Sequence, residues 1–173
     1  MKGENLLKGK DLLQKELNDF LENPDPTDTF GVDYWDIDNP DILHWSITML
    51  GPNDTFYEGG YFLIKVDFTE KYPEEKPIVR FKTKIYHSNI SQKTGNVCIT
   101  TLNDWKSRNP KPTMKEVLED IAFLMYHPTP ELGYGNFDSE YINDITKFEK
   151  NAKEWVEKYA NVNDYDDPKN HYQ

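Results

Sequence analysis

At 173 residues, with 36% hydrophobic and 14% aromatic content, the chain is long enough for one buried core and too apolar for wholesale disorder. The net charge of −11 speaks against nucleic acid, which attracts basic faces, and no apolar run suits a membrane span or a signal peptide. A single cysteine excludes an intramolecular disulfide and a Cys-rich zinc site, so no metal is expected and the thiol suits a reducing compartment, cytoplasmic or nuclear.

Residues 5–22 carry Leu6, Leu13, Leu17, Phe20 and Leu21 in a helical stripe, stopped by Pro24-Asp25-Pro26. The period then changes to two. Strands are expected over 30–37, 43–49, 61–68 and 78–81, with turns at Gly51-Pro52-Asn53-Asp54 and Tyr57-Glu58-Gly59-Gly60. Their short spacing favours an antiparallel meander over parallel crossovers. Residues 83–112 show no periodicity yet hold Tyr86, Val97, Ile99 and Trp105, which argues for a functional loop over disorder. Helix returns at Thr113, whose hydroxyl can form a capping box with Glu116, and runs to Tyr126. Two shorter helices are expected near 138–146 and 148–160. The tail from Asn161 is polar and acidic and is expected to fray. The fold class is α+β: an N-terminal helix, a four-stranded antiparallel meander, an active-site loop, then C-terminal helices. Residues 1–162 form the one core domain and 163–173 a tail.

Candidate chemistry concentrates in the irregular loop. Lys84-Ile85-Tyr86-His87-Ser88-Asn89-Ile90 precedes Gly95-Asn96-Val97-Cys98-Ile99, so a thiol, an imidazole and an amide lie within twelve positions. They can supply a nucleophile, an anchor and a donor for a developing oxyanion. A cysteine hydrolase would need a histidine base oriented by Asp or Asn. His87 sits too near in an irregular loop to assign that geometry, and His44, His127 and His171 lack motif context.

These segments together resemble the ubiquitin-conjugating enzyme family over roughly residues 10–160. Lys15-Glu16-Leu17-Asn18-Asp19 looks like its first helix, and His44-Trp45 with the Gly51 and Tyr57 turns like its second strand and turn. Tyr72-Pro73 and Pro77 resemble its proline turn. Tyr86-His87-Ser88-Asn89-Ile90 matches its His-Pro-Asn signature with one change, Asn96-Val97-Cys98-Ile99 its active-site strand, and Trp105 and Pro128-Thr129-Pro130 later landmarks. The resemblance implies a carrier that takes ubiquitin or a ubiquitin-like protein from an activating enzyme as a thioester on Cys98. It then gives the modifier to a substrate lysine, usually with a RING- or HECT-type ligase. It implies no cofactor for this chain, ATP being used by the activating enzyme, and no nucleic-acid or membrane partner. The alternative within the fold is a catalytically weak or inactive scaffold, a class that characteristically lacks the cysteine retained here.

Residue by residue, the resemblance makes Cys98 the acceptor sulfur, Asn89 the oxyanion donor and His87 a structural anchor. Tyr86, Ser88 and Trp105 support the site. Ser88 stands where the family usually has proline, and the turn is expected to survive it. Glu131, after the Pro-x-Pro turn, is the candidate acid near an incoming lysine, with Leu132 the competing match and Asp104 a weaker contender. Lys8, Lys10 and Lys15 resemble the face for the activating enzyme, diluted by Asp11 and Leu12. Glu74 stands where ligases usually grip an apolar side chain. The loop Lys106 to Pro112, with Pro110, looks longer and more basic than usual, so an atypical or weakened ligase contact is expected.

Overall fold

The sheet follows from side-chain alternation. In the computed structural model, which describes residues 2–23, 30–31 and 41–173, β2 (His44–Leu50) buries Trp45, Ile47 and Met49. The strand β3 (Tyr61–Asp67) buries Phe62, Ile64 and Val66, and β4 (Ile78–Phe81) buries Val79 and Phe81. Antiparallel register sets Ile47 opposite Ile64 and Ile64 opposite Phe81, so one face is continuous apolar surface. Strand β1 (Phe30–Gly31) adds two residues against Met49 and Thr48, completing the order β1-β2-β3-β4. Three strands are therefore full-length and the expected first strand is seen only at its start. Its continuation, residues 32–37, lies outside the described residues.

Helices cover the apolar face. Helix α1 (Lys2–Glu22) buries Leu13, Leu17 and Phe20, the spacing of one helical face. On the same helix Glu16 is buried, and its carboxylate accepts from the Tyr72 hydroxyl and from Met114 N–H, both at 2.8 Å. One carboxylate thus joins the first helix, the proline turn and an otherwise orphaned N–H at the next long helix. Burial raises the Glu16 carboxyl above its usual range, against the pull of those two bonds. The α2 helix is the single turn Thr100–Asn103, followed by a 3-10 turn at Trp105–Ser107. Helix α3 (Met114–Tyr126) starts at the expected capping box, Thr113 with Glu116, and buries Val117, Leu118, Ile121, Leu124 and Met125. Helices α4 (Asp138–Asn143) and α5 (Ile145–Tyr159) meet at Asp144, whose side chain accepts from Lys147 N–H.

The C-terminal residues correct the expectation of a frayed tail. Tyr172 N–H donates to the Lys82 carbonyl at 2.8 Å and Lys84 N–H to the Asn170 carbonyl at 2.9 Å, so the segment lies along the chain that leaves β4. Asn170 and Tyr172 are buried. The Tyr172 hydroxyl accepts from Ile85 N–H at 3.1 Å, and its proton lies between the Ile85 carbonyl at 3.0 Å and Gln92 Oε1 at 3.2 Å. Composition misled here: Asp166 is exposed, but Asn170 and Tyr172 are buried and the Tyr165 ring packs on Tyr61 at 5.6 Å.

Candidate active site

The loop after β4 is held from below by aromatic and polar contacts. The buried Tyr57 stacks on the His87 ring at 5.5 Å between centroids and donates its hydroxyl to the Tyr86 carbonyl at 2.9 Å. Tyr86 in turn stacks on Phe137 and donates to Glu140 at 2.8 Å. Sequence reading placed Tyr57 in a turn but missed this supporting role.

His87 is buried, with Nε2 3.1 Å from the Leu124 carbonyl and Nδ1 3.0 Å from Asn89 N. A carbonyl can only accept and a backbone N–H only donate, so Nε2 carries the proton and Nδ1 is the acceptor. Burial pushes the imidazole down to about 4. Neither nitrogen is directed at the thiol. Its geometry is that of a neutral spacer between α3 and the loop.

The turn at Ser88-Asn89 is intact, with Ile90 N–H donating to the His87 carbonyl at 3.2 Å. Ser88 occupies the second turn position, where proline is favoured, and its hydroxyl is buried without a hydrogen-bond partner among the described residues. Ser88→Pro should therefore stabilise the protein by about 0.5–1 kcal/mol, by stiffening the unfolded chain and removing an unpaired hydroxyl. Urea unfolding of the two proteins checks this; an unchanged or lower midpoint contradicts it.

Asn89 holds Thr129 as well as the turn. Its side chain is fully buried, and its amide nitrogen donates to the Thr129 carbonyl at 2.8 Å and to Thr129 Oγ1 at 2.9 Å. Its Oδ1 accepts from Thr129 N–H at 3.0 Å. In this arrangement both contacts of the amide nitrogen go to Thr129.

Cys98 is half-buried, its N–H held by the Asn89 carbonyl at 2.9 Å. Gly95 makes the strand approach possible: at φ +72° it sits where a Cβ would come within 2.0 Å of the Phe81 carbonyl oxygen. The Cys98 thiol donates to the Leu132 carbonyl at 2.7 Å, and Asn103 Nδ2, at the end of α2, lies 3.4 Å from Sγ. Asn103 was not singled out in the sequence, where nothing but its distance from Cys98 could have marked it.

Residues 128–135 close over this centre. Asn89 grips Thr129, the Leu132 carbonyl meets the thiol, and Tyr134 N–H donates to the Ser88 carbonyl at 3.0 Å. A Cβ at Gly133 would stand 2.6 Å from that same Ser88 oxygen, so the close approach needs glycine. The 3-10 turn Pro130–Leu132 presents the Leu132 carbonyl to the sulfur, while no hydrogen bond joins the Glu131 carboxylate to it among the described residues. Glu131 is exposed and bears instead on the Tyr141 phenol, which burial first and this carboxylate second push up.

Trp105 is buried and donates Nε1–H to the Pro73 carbonyl at 2.8 Å, fixing the chain that follows α2. Lys8, Lys10 and Lys15 are exposed on α1, and Glu74 and Pro110 are exposed beyond the sheet. Lys111 Nζ donates to the Trp105 and Lys106 carbonyls and ties the long loop down. Among the described residues no cluster of His, Cys, Asp and Glu could hold a metal ion, and no helix is long and apolar enough to cross a membrane.

An antiparallel meander backed by helices, with a reachable thiol between an asparagine turn and a proline-flanked loop, defines an α+β protein of the ubiquitin-conjugating fold. The comparisons agree. The family model described as ubiquitin-conjugating enzyme matches residues 12–156. A solved structure, given provisionally as a ubiquitin conjugating enzyme from Plasmodium yoelii, is 29% identical with a TM-score of 0.76. That similarity covers 89% of this chain and 96% of the other. The chain belongs to the ubiquitin-conjugating enzyme family.

Proposed function

We propose that this protein accepts ubiquitin or a ubiquitin-like protein on Cys98 as a thioester and transfers it to a substrate lysine. The observation that carries the reading is a lone, half-exposed thiol in the family's site, bordered by an amide donor and a backbone carbonyl. A thioester suits such a carrier because thiolate leaves readily when an amine attacks, so the acyl group stays activated until delivery. On this reading the chain itself needs no metal or cofactor. ATP is used by the activating enzyme, and α1 with Lys8 and Lys15 is the face offered to that enzyme. Cytoplasm or nucleus, where thiols stay reduced, is the proposed location.

Glu74 is exposed where an apolar side chain would favour a ligase groove. Burying that carboxylate would be costly, so we read the ligase contact as atypical. A second reading, a weak or inactive scaffold, draws on the commitment of Asn89 to Thr129.

Incubation with activating enzyme, ATP and a panel of modifiers, with and without RING- and HECT-type ligases, separates the two. An adduct sensitive to reducing agent, absent in Cys98→Ala, is expected; its absence across the panel favours the scaffold.

A further inference from the structure

We propose that Asn103 supplies the hydrogen bond to the oxyanion formed when an amine attacks an acyl group on Cys98. The inference rests on the thioester reading above and names a donor that already lies at the sulfur, where the Asn89 amide contacts Thr129 instead.

The fully buried Asn89 makes three hydrogen bonds to Thr129, and freeing its amide would break the clasp on the 128–135 loop. Asn103 is in the opposite situation. It is exposed, its Nδ2 lies 3.4 Å from Sγ, and the described residues give that amide no other partner. The short helix carrying it is held rigidly at both ends. Thr101 donates its hydroxyl to Asp120, Leu102 is buried, and the chain beyond is pinned by Trp105 on Pro73. The donor is therefore positioned before the reaction, the condition under which oxyanion stabilisation is most effective.

Leu132 and Asn103 also divide the sulfur between them: the carbonyl takes the S–H proton and the amide approaches as donor. Acylation removes that proton and places a carbonyl one C–S bond from the sulfur, so its oxygen comes within reach of the same amide. When lysine attacks, the C–N bond forms and the carbonyl π pair moves onto oxygen, where Asn103 Nδ2–H donates. Collapse restores C=O and breaks C–S. The thiolate leaves, and the proton lost by the amine nitrogen balances it as the thiol.

Single-turnover discharge to free L-lysine tests this, using the loaded wild type, Asn103→Ala and Asn103→Asp. Both variants are expected to melt as the wild type does, because the side chain is exposed, and each is loaded to completion before discharge is followed. Their discharge rate constant at saturating lysine should fall roughly 100-fold, the typical loss on removing one such donor, with the lysine KM unchanged. Discharge within about two-fold of wild type in both variants would overturn the assignment. Failure of the wild type itself to form a reducible adduct would overturn the thioester reading and this proposal together, so the two failures are distinct.

Discussion

Ending the chain after Asp164 should lower stability by about 3–5 kcal/mol, the cost of deleting a large buried aromatic together with its hydrogen bonds. The truncation removes Tyr172, 5% exposed, whose hydroxyl serves both the N–H and the carbonyl side of Ile85. It also removes the Tyr165 carbonyl that accepts from Thr83, and the backbone bonds to Lys82 and Lys84. For a chain of this size the melting temperature should fall by roughly 10 °C. Tyr172→Phe isolates the hydroxyl and should cost about 1–3 kcal/mol, since Ile85 N–H would be left buried without its partner. Calorimetry of the three proteins checks both figures, and a truncated protein melting with the full chain would contradict the packing described. The loss should also reach the site, because Ile85 lies two residues before His87.

His87 should make the protein acid-sensitive. Its folded value of about 4 lies below its ordinary 6.5, so between these values the unfolded chain binds a proton that the folded one refuses. Stability from this group is complete above pH 6.5 and is lost as pH falls towards 4, by about 3 kcal/mol in all. Burial is the main cause, opposed in part by the Leu124 carbonyl that accepts from Nε2–H. Glu16 acts in the opposite direction. Burial raises its carboxyl, so the folded state gains relative stability as pH falls through that raised value and keeps it below 4.5. The comparison that isolates His87 is therefore urea unfolding of wild type and His87→Gln at pH 7 and pH 4.5, where the wild type should lose more. An NMR titration reads the ring directly, and a His87 signal titrating near 6.5 would refute the assignment.

Much of the fold is legible because the signals are local. The alternation of Ile78-Val79-Arg80-Phe81 specifies β4 at its observed bounds, and Thr113 with Glu116 marks the start of α3 within a single turn. The thiol loop is legible as well, because a family pattern survives the change at Ser88. Asn89 shows the limit. Its residue type suits an oxyanion donor, but its partner Thr129 lies 40 residues away and takes both protons. Leu132 shows another, since it is the backbone carbonyl of the 3-10 turn, a group that every residue carries, that meets the sulfur.

By itself the sequence determined the family, the helix and strand order, and the candidate thiol, because hydrophobic period, caps and turn residues act over a few positions. Only the tertiary structure decided which amide meets Cys98, which group of the 130–132 turn does, and that the last residues brace the active-site loop. Those choices depend on hydrogen-bond partners brought together from 5 to 87 residues apart, and a donor or acceptor carries no mark in sequence of the partner that will use it.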